Sequence, residues 1–246
     1  MTFLRVNVSV LEMKGMLDMN EVNVKNVSNV KELQNLQRLL KIITTTEDMP
    51  LKGLLSEGNI KLPSSTAIFN ITPAKFCPSM KLGLCKAKNQ GAKCYAMKAE
   101  YFRPQVLPYR IRQMKFWDSV SATEFAKQFL LINSQKIHSP FTALRINESG
   151  DFKSQQDLDK TEEIARILGL SGIKVYCYSS RSDLNFSRCK NLIVSGSNFI
   201  KKGITNIFKI VKNKNERPKG YGMCAGDCKV CNRCQIRGKS TCVIKH

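Results

Sequence analysis

Acidic residues are scarce in this chain: 19 Asp and Glu stand against 40 Lys and Arg over 246 residues, a formal net charge of +21. Long apolar runs are missing too. No stretch approaches the roughly 20 residues that a membrane-crossing helix needs. The opening MTFLRVNVSVLEMKGMLDMN has neither a basic start leading into an unbroken apolar stretch nor a small-residue cleavage site. The expectation is a cytoplasmic protein without a membrane partner. P-loop, G-x-S-x-G and H-E-x-x-H phrases are absent, which removes the commonest motif-based nucleotide-binding and hydrolase functions. No internal repeat or low-complexity tract occurs. Histidine is nearly absent, and His138 in QKIHSPF has no neighbour in sequence that completes a constellation, so it reads as a surface-loop residue.

The positive charge is unevenly placed. From Ala74 to Asp118 ten basic residues face two acids, and from Lys201 to the end twelve face two, whereas residues 1–66 are nearly balanced at eight to seven. These basic segments also carry most of the ten cysteines. Such a surface suits a nucleic-acid backbone, because Lys and Arg release counterions when they neutralise phosphates. It equally suits local compensation of anionic thiolates.

Alternating strand and helix patterns begin near Ser65. TAIFNIT, FTALRI, IKVYCYS, NLIVSG and NIFKIV read as strands. PYRIRQMKFWDSV reads as a helix with Pro108 at its start, SATEFAKQFLLIN as one opened by a Ser121/Glu124 capping box, and SQQDLDKTEEIARILG as one stopped by Gly169. This order predicts an α/β fold with a mostly parallel sheet, and five or six strand signals fit an open, partial barrel-like sheet better than a closed eight-unit barrel. Three regions are expected: residues 1–64 as an N-terminal extension with an amphipathic helix over 29–45, residues 65–212 as the core, and residues 213–246 as a cysteine-rich metal-binding segment.

Clustered cysteines in a reducing compartment point to metal rather than to disulfides. Cys177, inside a strand, and the solitary Cys189 read as structural thiols. In CAGDCKVCNRC, by contrast, Cys224, Cys228, Cys231 and Cys234 are spaced C-x3-C-x2-C-x2-C, and Gly226 with Asp227 supplies turn chemistry. Two-residue gaps let thiolates converge on one centre, as in cluster-binding ferredoxin loops. Zinc is the alternative metal, held by these four or by a variant using Cys242 and His246. Cys77, Cys85 and Cys94 form a looser group just after the TAIFNIT strand, where α/β folds collect their ligands.

The order Cys77, Cys85, "CYA" at Cys94–Ala96, "RINESGDF" at Arg145–Phe152, "YSSRS" at Tyr178–Ser182 and the terminal cluster resembles the phage proteins of gene 88 type, over roughly residues 70–235. The "CYA" phrase after two cysteines is also similar to a second phage group, regarded as distant relatives of the radical S-adenosylmethionine enzymes, which are partial α/β barrels. That resemblance implies one or two [4Fe-4S] clusters, with Cys77, Cys85 and Cys94 holding one whose open iron binds S-adenosylmethionine. The usual C-x3-C-x2-C spacing of such enzymes is absent here. Glu148, Ser149, Gly150 and Asp151 sit where a strand gives way to a helix, a place to grip a small polar cofactor, with Gly150 permitting close backbone approach; the alternative is that Asp151 or Ser154 caps the next helix. Arg181 either binds a carboxylate or phosphate or faces water. The expected function is thus an iron–sulfur protein, with a redox or radical enzyme as its extension and a zinc-stabilised nucleic-acid-binding protein as the alternative.

Overall fold

The structure is a computed structural model that describes residues 50–85 and 94–244. Among these residues eight strands form one open sheet: β1 (Ser56–Glu57), β2 (Thr66–Phe69), β3 (Ala143–Ile146), β4 (Lys174–Ser179), β5 (Ile193–Ser197), β6 (Asn206–Val211), β7 (Gly222–Met223) and β8 (Thr241–Ile244). Their spatial order is β1-β2-β3-β4-β5-β6-β8-β7. Only β1 pairs antiparallel, with β2; the other neighbours are parallel. The helices are α1 (Pro78–Lys81), α2 (Tyr95–Phe102), α3 (Val106–Ser119), α4 (Ala122–Ser134) and α5 (Gln155–Gly169). This is the open α/β sheet that the alternation of patterns predicts. No described helix is long and apolar enough to cross a membrane.

From β2 to β6 the spatial order follows the chain. Because parallel crossovers are right-handed, a sheet wound in one direction sends its connections over one face. That face is apolar: the register aligns Phe69, Ile146, Cys177 and Val194 in one row, and all four are fully buried. Phe69 stacks edge-on against Phe125 at 5.0 Å and meets Phe116 and Trp117 at 6.3 and 6.1 Å, which docks α3 and α4. Each such side chain contributes about 1.5–3 kcal/mol by leaving water. Ser121 and Ser154 cap α4 and α5, accepting from the Glu124 and Asp157 amides. α3 starts at Val106, so that Pro108 falls within its first turn.

Side chains alternate along strands, so one residue earlier the row becomes Ile68, Arg145, Tyr176 and Ile193, on the opposite face. Among the described residues no crossover helix covers this second face. The segment from Gly222 to Ser240 covers it instead: the short 3-10 turn Arg233–Gln235 lies on β4 and β5, and Asn206 Nδ2 donates to the Ile236 carbonyl at 3.0 Å.

Residues 50–64 pack into the same unit. Leu51 and Leu62 are buried, the Leu51 amide donates to Gln128 Oε1 at 3.1 Å, and Gln113 donates to the Leu54 carbonyl at 2.7 Å. The amphipathic pattern at 29–45 lies outside the described residues.

Candidate metal centre

Cys224, Cys228, Cys231 and Cys234 line one small cavity, together with Arg145, Tyr176 and Tyr178 from the sheet and Leu62 from the segment before β2. The loop that brings them there turns at Gly226, with φ at 76°, and is closed by Asp227, whose Oδ1 accepts from the Lys229 amide at 2.9 Å. Backbone bonds anchor it to the sheet unit. The Cys228 amide donates to Lys61 O at 2.9 Å and the Cys224 amide to Cys242 O at 2.7 Å. All four cysteines are half-buried. Burial pushes the Cys228 thiol up, as do Cys234, Cys224 and Cys231 when charged, while Arg145 opposes them.

Arg145, from β3, also lines this cavity. Its guanidinium carbon lies 5.3 Å from the Tyr178 ring centroid, and its Nε is buried without a hydrogen-bond partner. The surrounding field raises its already high pKa despite desolvation, through Tyr95, Tyr176, Tyr178 and Glu148. No ion pair is formed by Arg145 among the described residues. Burial pushes the Tyr178 phenol well up, and the Cys234 thiol beside it adds to the rise. Burial likewise pushes Tyr176 up to about 12. A cation with an orphaned donor beside four thiols calls for negative charge in the cavity. The sequence alone assigns Arg145 no role; its signal is a lone guanidinium inside the apolar strand FTALRI.

The other predicted residues gather at the carboxyl ends of β2, β3 and β4. Cys77 stands between a 3-10 turn (Ala74–Phe76) and α1. Burial pushes its thiol up to about 12, with Asp151 and Cys85 adding to the rise against the Met80 and Ser79 amides. Cys94 caps α2, next to Tyr95, whose hydroxyl donates to the Glu148 carbonyl at 2.5 Å. Residues 86–93 lie outside the described ones. Among the described residues no three His, Cys, Asp or Glu side chains come close enough to share one metal ion.

Asp151 ties three loops together. It accepts from Ser79 Oγ at 2.6 Å, Ser179 Oγ at 2.8 Å, the Ser180 amide at 2.8 Å and the Phe152 amide at 2.9 Å. Burial pushes its carboxyl up and these four donors hold it back. The Ser149 amide donates to Asn70 at 2.7 Å. Gly150 adopts φ 72°, and a Cβ there would meet Thr72 O at 2.0 Å, so the close backbone approach expected of this glycine is to the loop after β2. Arg181 is buried, grips Asp183 through Nε and Nη2 at 2.8 and 2.7 Å and donates to the Phe152 carbonyl. These bonds are internal because buried polar groups must be paired. Glu148 is partly exposed and accepts from Asn59 Nδ2.

Cys177 and Cys189 are buried singly, as structural thiols should be, and Cys242 is fully buried. The Cys242 thiol turns away from the cavity to the Gly222 carbonyl at 3.6 Å and Met223 Sδ at 3.2 Å, while His246 lies outside the described residues. His138 is exposed in a loop.

No curated protein matches the chain, and neither does any solved structure. A family model described as Gene product 88 matches residues 34–200, a span that holds Cys77, Cys85, Cys94, Arg145 and Asp151 and stops short of Cys224. Since the match covers well over half of the sequence, the chain belongs to the Gene product 88 family, the phage gene 88 type that its ordered motifs resemble.

Proposed function

We propose that the protein is an iron–sulfur protein whose cluster is held by Cys224, Cys228, Cys231 and Cys234 on the second face of the sheet. The observation that carries this is the cavity that those four cysteines line together with Arg145, whose buried Nε has no hydrogen-bond partner. Neutral thiols offer that cation little, whereas thiolates bound to iron bring net negative charge into a site of low permittivity. The C-x3-C-x2-C-x2-C spacing, with the two-residue gaps of cluster-binding loops, favours iron over zinc. The bound cluster would supply electron storage; the protein's part is to exclude water and hold a compensating charge.

Purification without oxygen, followed by iron, acid-labile sulfide and zinc determination, tests this reading. Iron and sulfide in equal amounts, with a brown chromophore lost in Cys228→Ser, are the expected result. A colourless protein with one zinc per chain overturns it. For a second cluster at Cys77, Cys85 and Cys94, and for S-adenosylmethionine as its cosubstrate, the support is resemblance alone. Release of 5′-deoxyadenosine by the reduced protein decides that extension towards enzymatic function. A reducing compartment such as the host cytoplasm is the setting these thiols require.

A further inference from the structure

Helix α2 presents two unlike faces. Ala96 is buried, and Glu100 turns inward to accept from the Ala74 and Lys75 amides at 2.7 and 2.9 Å and to pair with Arg110 at 2.8 Å. With 3.6 residues per turn, the opposite arc carries Tyr95, Met97, Lys98, Tyr101 and Phe102. Tyr101 is 82% exposed, Phe102 66% and Tyr95 65%. The Tyr101 and Phe102 rings meet edge to face at 5.1 Å. Large aromatic side chains clustered in water are unfavourable for the isolated fold and mark a surface made for a partner.

The charge around this face says which partner. Between Ala74 and Trp117 the only acid is Glu100, and it is spent inside; from outside that stretch Glu148 meets the helix at Tyr95, at the opposite end from Tyr101 and Phe102. Lys75, Lys98 and Arg103 are exposed around the same helix and enter no ion pair among the described residues. Exposed π faces amid unneutralised cations are the two elements of a single-strand platform: bases stack on the rings while Lys and Arg take the phosphates. We propose that this face of α2 binds single-stranded nucleic acid, with Tyr101 and Phe102 as the stacking pair and Lys98 and Arg103 as phosphate contacts. No residue of α2 lines the cysteine cavity, so the proposal stands whichever metal that cavity takes.

Fluorescence anisotropy of a labelled oligothymidylate of about 20 nucleotides tests it with the full chain, titrated from about 50 mM salt upward. Binding should weaken steeply with salt. Tyr101→Ala with Phe102→Ala should lower affinity about 5- to 100-fold while leaving the salt slope unchanged. Lys98→Ala with Arg103→Ala should reduce the slope of log affinity against log salt by about 1.4. An oligouridylate arm distinguishes RNA from DNA as the better ligand. No binding at low salt, equal binding of a duplex of the same length, or indifference to the aromatic substitutions overturns the proposal. So does a wild-type dimer that the aromatic substitutions dissolve, since the face then belongs to a second copy of the chain.

Discussion

Replacing Arg145 by methionine should have opposite effects on the empty and the metal-loaded protein. The side chain reaches a cavity with a buried, unpaired Nε and no carboxylate partner. Leaving a buried charge uncompensated costs about 3–5 kcal/mol. The residue is half-buried rather than sealed, so the lower end applies, and the Tyr178 ring at 5.3 Å returns about 1 kcal/mol of it. A methionine of similar length relieves the remainder. Chelator-treated Arg145→Met should therefore be more stable than chelator-treated wild type by about 1–3 kcal/mol. With a urea m-value of about 2 kcal/mol/M, the midpoint rises by about 0.5–1.5 M. The loaded protein should behave the other way, because the substitution removes the cation facing an anionic cluster. Its chromophore should bleach at least about tenfold faster under chelator challenge, the equivalent of roughly 1.4 kcal/mol lost from the loaded state. The reasoning is falsified if Arg145→Met lowers the stability of the empty protein, for the guanidinium would then be satisfied without any anion.

Other substitutions test the frame around the cavity. Asp151→Ala strands two buried amides and two hydroxyls, and since hydroxyls can rotate towards other partners while amides cannot, a loss of about 3–5 kcal/mol in urea unfolding is expected; a loss under about 1 kcal/mol would show that the three loops hold without this carboxylate. Gly150→Ala forces a Cβ to within 2.0 Å of Thr72 O at positive φ and should cost at least about 2 kcal/mol, read as a lower melting temperature. Cys242→Ala should leave iron and sulfide content at the wild-type level, because this thiol faces Gly222 and Met223 rather than the cavity; loss of the cluster would make it a ligand.

The sequence by itself determined the class of fold and much of the family likeness. Strand and helix periods are local properties, so TAIFNIT, FTALRI and IKVYCYS could be read as buried strands, and Ser121 and Ser154 mark helix starts through their own side chains; Gly169 is still helical, and the left-handed turn that follows falls at Gly172. The spacing of Cys224, Cys228, Cys231 and Cys234 was equally legible, because eleven residues cannot carry four thiols far apart. What the sequence left open was which polar residues are free to act. Asp151 could be read as gripping a ligand or capping a helix and Arg181 as binding an anion or facing water; in the fold both are bonded by partners 28 to 72 positions away along the chain, and Arg181 also by local pairing with Asp183. Arg145 looked like an ordinary strand residue. Only the tertiary structure decided its place: one-directional winding sends the described crossover helices over one face of the sheet, the terminal segment folds back over the other, and a guanidinium from β3 ends up lining a cavity with cysteines about 80 residues later.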